Sequence, residues 1–342
     1  MEEDRSAKLT QKDIARMAGV STSTVSMVMR GTGNISEKIR SKIMQIAKES
    51  GYRKPPSRNG NQPGVSQYIM VLEWESFEYQ WNFIKPFLVK LSDSLIRQNL
   101  YPILYHLEKD LQPDLIENAI LSSKCAGLCS IHYFNKQMFT RLEQAGVPVV
   151  LLNNNIFQND FSAVCVDDFQ GIYNGVSYLI EKGHRNILYF DYIRPDLEAC
   201  VTDRYFGFRK AAEEYHINNQ ERITLILENK AKLFSTLHNS LEQNPSTSAI
   251  VFHDDYLAAW GIPELERMGL KIPDDISVIA PGDTLNFSEP FTPQLTTIQI
   301  DTATMGNLAS QLLGEKIRKS QFEVKHLKVT PTIVERGSCR DL

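Results

Sequence analysis

The segment from Thr10 to Tyr52 leaves a folding chain few options. Thr10 is a good helix N-cap, and Asp13 three residues on suits a helical first turn. Ile14, Met17 and Ala18 then recur at helical spacing. Gly19 ends that helix, because glycine adopts the left-handed C-terminal conformation cheaply. Ser21 caps a second helix with Val25, Val28 and Met29 as its apolar stripe. Gly31 and Gly33 break it. Ser36 caps a third, with Ile39, Ile43, Ile46 and Ala47 on one face, and Gly51 closes it. Helix, short turn and helix make a helix-turn-helix pattern, and three helices bury one small core. The second helix keeps a solvent face of Ser21, Thr22, Ser23 and Ser26, small hydroxyls that let a helix approach a groove and its phosphates closely.

These residues resemble the headpiece of the LacI/GalR family of bacterial transcription regulators. The matching positions are Asp13-Ile14-Ala15, Ala18-Gly19-Val20-Ser21, Thr24-Val25-Ser26, Gly31, Ile35-Ser36 and Gly51-Tyr52-Arg53. The resemblance puts base reading on Thr22, Ser23 and Met27. It puts phosphate-facing or capping roles on Ser21, Thr24, Ser26, Asn34 and Ser36, and Thr10 and Tyr52 join the DNA face. Capping alone also accounts for Ser21 and Ser36. Where Met27 stands, the family usually has an arginine that grips guanine bidentately. A methionine offers only apolar contact, for instance to a thymine methyl, or packs and reads nothing.

Charge is unevenly divided. Residues 1–58 hold 12 Lys/Arg against 6 Asp/Glu, which leaves 25 against 35 for the remainder of a chain with net charge −4. A basic head on an acidic body fits a head that alone adheres to DNA. No basic run followed by an apolar core marks the N-terminus, and no apolar run reaches membrane-spanning length, so a cytoplasmic protein with no membrane partner is expected. Cys125, Cys129, Cys165, Cys200 and Cys339 are odd in number and contain no C-x-x-C pair, as expected of reduced core thiols.

The 342 residues exceed what one core usually serves. The expected domains are a helix-turn-helix unit over 9–54, a linker over 55–67 and a body over 68–338. The linker KPPSRNGNQPGVSQ holds three prolines and two glycines. Family members carry a short hinge helix here with a leucine that wedges into the minor groove. This chain has Arg58, Asn59, Gly60, Asn61 and Gln62 instead, so that leucine is absent, and Arg58 is left to reach phosphate or a narrow minor groove.

From Tyr68 onward, apolar strand-like runs alternate with amphipathic segments. Strands are expected at 68–72, 102–105, 127–130, 147–152, 163–166, 186–190, 223–227, 248–252 and 276–279. Continuous apolar strands separated by helices imply parallel sheets covered on both faces, here in two doubly wound lobes. Ligands in such folds bind outside the carboxyl ends of the strands. The resemblance extends through this α/β region, which is similar to the family's periplasmic-binding-protein-like sensor. Gly183-His184-Arg185-Asn186-Ile187, Arg204 with Gly207-Phe208-Arg209, Ile272-Pro273-Asp274-Asp275-Ile276, Pro293-Gln294-Leu295-Thr296-Thr297-Ile298 and Val334-Glu335-Arg336-Gly337-Ser338 carry it. It implies three crossings between lobes, near Val166, Thr297 and Leu327. Lobe 1 then spans about 68–165 and 298–326, and lobe 2 about 166–297 and 327–338.

The resemblance also implies a cleft for a small effector, most often a sugar or its derivative. Arg204 matches the family's ligand-gripping arginine, whose fork suits paired hydroxyls or a carboxylate. Asp255 matches a ligand aspartate, and the residue before it, usually asparagine, is Asp254. Asp283 falls where the family has two consecutive acids, the first replaced by Gly282. Asn153 ends another strand, and Trp81 and Phe83, with Tyr79, fall where an aromatic face is usual. Helix capping, surface ion pairs and core packing are the plain alternatives for each. On one strand end, His253-Asp254-Asp255 would point apart and hold no metal. No nucleophile elbow, P-loop or zinc spacing is present, so neither enzyme activity nor a cofactor is expected. The expected protein is a homodimeric regulator that binds operator DNA under control of a small effector. A solute-binding protein without a regulatory role is the alternative.

Overall fold

The computed structural model describes residues 10–30, 35–49, 67–74, 81–107, 111–133, 135–154, 159–192, 198–217, 222–225, 230–285, 294–319 and 323–342. The chain divides into two compact units, Met1–Ser66 and Gln67–Leu342.

The first unit holds α1 (Gln11–Ala18), α2 (Thr22–Arg30) and α3 (Glu37–Glu49). The Thr10 amide and hydroxyl both donate to the Asp13 carboxylate, at 2.9 and 2.6 Å. Those bonds hold the Asp13 carboxyl below its usual range. Gly19 ends α1 at φ 70°. The Ser21 hydroxyl accepts the Thr24 amide at 3.1 Å and so caps α2. Ile14, Ala15, Ala18, Val25, Val28 and Ile43 form the core. Met17 and Ile39, expected on inward faces, are instead exposed. A stripe read at a 3.6-residue period is broad, and a core this small closes before it reaches the stripe's margins.

In the second unit the chain first lays down β1 (Tyr68–Trp74), α4 (Trp81–Arg97), β2 (Tyr101–Leu107), α5 (Pro113–Ser123), β3 (Gly127–Ile131), α6 (Lys136–Gln144), β4 (Val149–Leu152) and β5 (Ser162–Val166). It then crosses to a second lobe, with α7 (Asp168–Glu181), β6 (Ile187–Tyr192), α8 (Glu198–Glu214), β7 (Arg222–Leu225), α9 (Lys230–Gln243), β8 (Ala249–Phe252), α10 (Asp255–Arg267), β9 (Ser277–Gly282) and β10 (Thr296–Gln299). It returns for α11 (Thr302–Arg318) and β11 (His326–Val329), and crosses a last time to β12 (Thr332–Val334). The sheets run β11-β5-β4-β3-β1-β2 and β12-β10-β9-β8-β6-β7.

Strand periodicity explains how each sheet is covered. Ile69, Val71, Cys129, Ile131, Val150 and Leu152 meet the buried faces of α4 and α11. Their alternates Met70, Leu72, Leu128, Val149 and Leu151 meet α5 and α6. In the second lobe Leu188, Phe190, Ile250 and Phe252 pack toward α9 and α10. Ile187, Tyr189, Ala249 and Val251 pack toward α7 and α8. Both faces are buried, so these strands read as unbroken apolar runs.

Two of the three crossings differ from those the resemblance implies. Leu327 lies inside β11, paired in parallel with β5, so the third crossing falls at Thr330 and Pro331. Ile298 and Gln299 belong to the second sheet, so the second crossing falls at Ile300 and Asp301. Strand ends follow hydrogen-bond register, which neither a resemblance nor a pattern of apolar residues records.

Candidate functional site

The strands of both sheets end at a cleft with about 570 Å³ of empty space, part of it open to solvent. The first lobe contributes Phe83, His132, Asn153 and Ile300, and the second contributes Tyr192, Arg204, His253, Asp254, Asp255, Tyr256, Pro281, Gly282 and Thr284.

On the first-lobe wall, Phe83 sits in the first turn of α4, and its ring lies within 11° of parallel to that of His132, centroids 6.3 Å apart. His132 and Asn153 directly follow β3 and β4, and both have left-handed backbones, at φ 57° and 56°. Such conformations in residues with a Cβ are uncommon and gather at sites where a side chain must be aimed. Here they bring the Asn153 amide to 2.8 Å from His132 Nε2.

On the second-lobe wall, Arg204 is held in place by neighbours. Its Nε donates to Asp168 Oδ1 at 2.6 Å, and its Nη1 donates to the His253 carbonyl at 2.8 Å and lies 3.2 Å from His253 Nε2. Arg204 is 9% exposed and Asp168 4%. Burial pushes the Asp168 carboxyl up, and the guanidinium opposes the shift. A guanidinium only donates, so at this contact His253 Nε2 accepts, while its Nδ1 lies 3.4 Å from the Tyr189 hydroxyl.

Asp254 and Asp255 open α10. Asp254 Oδ1 caps the helix by accepting the Leu257 amide at 2.7 Å, and its Oδ2 accepts the Tyr192 hydroxyl. Asp255 turns to the loop after β9 and accepts the Thr284 amide at 2.6 Å, the Thr284 hydroxyl at 2.9 Å and the Leu285 amide at 3.3 Å. Gly282, at φ 137°, is the residue that lets this loop close. A Cβ there would lie 2.6 Å from the Asp255 carboxyl carbon. Burial first, then the charge of Asp254, pushes the Asp255 carboxyl up to about 6.

Of the effector residues expected from sequence, Phe83, Asn153, Arg204 and Asp255 line the cleft, while Trp81 and Asp283 do not. Trp81 is exposed at the start of α4. Asp283 accepts Arg336 Nη2 at 2.5 Å, the Thr297 hydroxyl at 2.9 Å and the Gln299 amide at 2.5 Å. An arginine 53 residues away holds it there, a partner that no local reading of the sequence reveals. His253, Asp254 and Asp255 were expected to diverge on a strand end, yet all three face the cleft, because β8 stops at Phe252 and the chain turns into α10. His132, Tyr192 and Thr284 were not anticipated. Their only signal is a polar residue at the carboxyl end of an apolar run. Among the described residues no group of His, Cys, Asp and Glu is arranged to hold a metal ion.

On the first unit, Ser21, Thr22 and Ser23 are exposed, and Thr24, Ser26 and Met27 are half-buried. Thr10 and Ser36 are exposed at the starts of α1 and α3. The Ser21 hydroxyl lies 2.6 and 2.8 Å from those of Ser23 and Thr24, a local chain of hydroxyls at the N-terminus of α2. Asn34, Tyr52, Arg58 and Tyr79 fall outside the described residues. Among the described residues no helix is long and apolar enough to cross a membrane.

Comparison with known proteins agrees with both units. Residues 10–55 match the model for bacterial regulatory proteins of the lacI family, and residues 176–339 match the periplasmic binding protein-like domain. The HTH-type transcriptional repressor PurR of Pectobacterium atrosepticum is 27% identical over 97% of both chains. Two solved structures share the fold. A complex of the transcriptional regulator CelR with cellobiose superposes with a TM-score of 0.67 at 20% identity, over 96% of this chain and 99% of that one. The lac repressor dimer bound to operator and the anti-inducer ONPF gives 0.65 at 20% identity, over 98% and 100%. The chain therefore carries a lacI-family helix-turn-helix domain followed by a two-sheet periplasmic-binding-protein-like domain, and it is similar over nearly its whole length to PurR-type repressors.

Proposed function

We propose that the protein is a homodimeric transcriptional repressor whose hold on operator DNA is set by a small polar ligand, sugar-like in its hydroxyls, bound in the cleft between the lobes. The observation that carries this reading is the cleft itself, lined from both sheets at the strand ends. A ligand touching both walls binds a closed form better than an open one, and that difference in affinity is the only energy available to shift the DNA-bound state. A coupling of about 1–3 kcal/mol corresponds to a roughly five- to 150-fold change in operator affinity. Neutral donors and acceptors at Asn153 and Thr284 suit hydroxyls. PurR and CelR are a repressor and a regulator with a bound disaccharide by their own names, and they support a ligand-controlled repressor here.

Pairing of two copies is supported by the edge of the first sheet. β2 is its last strand, and Tyr101, Ile103 and Leu104 are exposed along it, an apolar edge of the kind natural proteins cover. Two heads then read half-sites about one DNA turn apart. Base reading falls to Thr22, Ser23 and Met27, with Thr10, Ser21, Thr24, Ser26, Asn34, Ser36 and Tyr52 on the DNA face beside them and Arg58 reaching phosphate or a narrow minor groove.

The test is a gel shift against the DNA upstream of the protein's own gene, followed by selection from random DNA. The expected result is a salt-sensitive, sequence-preferring complex whose site departs from the family consensus near Met27 and at its centre. Met27→Arg is expected to move the preference toward guanine. No sequence preference at any salt would leave the solute-binding alternative in its place.

A further inference from the structure

We infer that the ligand of the cleft carries a positive charge: an amine on a ring or polyol, selected by Asp254. This rests on the proposed ligand-binding role of the cleft and narrows its chemical class.

The balance of charge on the cleft walls leads to this class. Among the described residues, the ionisable groups lining the cleft are Arg204, Asp254 and Asp255, with two histidines and two tyrosines. Asp168, almost wholly buried, meets the Arg204 guanidinium at 2.6 Å, so that cation is already matched. His253 Nε2 accepts from Arg204. Asp254 and Asp255 remain, and their partners are a helix amide, a tyrosine hydroxyl, a threonine and loop amides, all uncharged. The N-terminus of α10 offsets part of one charge only. Burial first, then the charge of Asp254, raises the Asp255 carboxyl, which agrees with neighbouring acids whose partners are all uncharged.

The remaining surface suits the same class. Phe83, Tyr192 and Tyr256 line the same cleft, the tyrosines on the wall of the acids. Carboxylates beside aromatic rings, with no unmatched cation among the described lining residues, attract ammonium groups and repel phosphate and carboxylate. Asp254 still has acceptor capacity, since a carboxylate offers about four lone-pair sites and two are in use here.

The experiment uses the full chain and a panel of matched sets: glucosamine, glucose and glucose 6-phosphate, with corresponding amine, hydroxyl and phosphate forms of pentoses, disaccharides and nucleosides. Binding is measured by thermal shift and calorimetry. The amine member of at least one set is expected to bind at least tenfold more tightly than its neutral partner, and the phosphates not to bind. Asp254→Asn keeps the helix cap, because asparagine caps as well as aspartate, and is expected to bring amine and neutral partners within twofold. A neutral or anionic best binder, no binding by any amine, or a preference unchanged in Asp254→Asn would each overturn the inference. If the amine binds through Asp254 while operator affinity stays constant, the cation site stands and the ligand-controlled repressor reading fails.

Discussion

The two lobes repeat one strand order and divide the cleft's chemistry unequally. Each sheet places its second strand at one edge, and at the other edge a strand that arrives after a crossing. The first lobe then offers the cleft a phenylalanine, an isoleucine, a histidine and an asparagine, while the second offers an arginine and two aspartates. The last strand differs as well: β11 runs parallel to β5, and β12 antiparallel to β10. A shared scaffold fixes where strand ends gather, and the residue just past each end decides what they do. The lobes therefore carry different loads, with the charged wall built into its lobe's stability and the neutral wall adjustable.

Four substitutions test that division. Arg204→Ala strands the Asp168 carboxylate in the core and is expected to destabilise the sensor by about 3–5 kcal/mol in urea denaturation. A loss below about 1 kcal/mol would show the pair to be dispensable and the asymmetry false. Gly282→Ala forces a Cβ toward the Asp255 carboxyl at a backbone angle that suits glycine, for an expected loss of about 2 kcal/mol in the same assay. Asp255→Asn sharpens the comparison through pH. The folded-state carboxyl sits at about 6 against 3.8 for the unfolded reference. Ionisation therefore opposes folding, with the full cost present above about pH 6 and gone below about pH 4. Wild type is expected to gain at most about 3 kcal/mol on the variant as pH falls from 7 to 4, and a flat difference would remove the unmatched charge from the account. Phe83→Ala, on the neutral wall, is expected to cost only about 1 kcal/mol, since Phe83 is half-buried, and to show mainly as weaker ligand binding in calorimetry.

Much of this was legible in the sequence for identifiable reasons. Gly19, Val25 and Ile43 sit at caps and helical periods, and the buried strands are apolar runs because both their faces are covered. Arg204 and Asp255 came from resemblance, since nothing in their local spacing marks a cleft. The remainder depended on distance along the chain. Asp168 finds Arg204 across 36 residues, and Asp283 finds Arg336 across 53. His132 and Asn153 acquire their aim from left-handed backbones that only the folded chain imposes.

The three crossings carry a consequence for how the protein is made. β11 closes the first sheet by pairing with β5, some 160 residues earlier in the chain. A ribosome adding about 5–20 residues per second therefore spends roughly 8–30 s between the two strands. During that interval β5 has an open edge, and the face that α11 will cover is bare. The second sheet waits for β12, made immediately after β11. Neither lobe can finish well before the other, so the sensor is expected to mature in one late step, with its nascent edges exposed to chaperones and to neighbouring copies until that step.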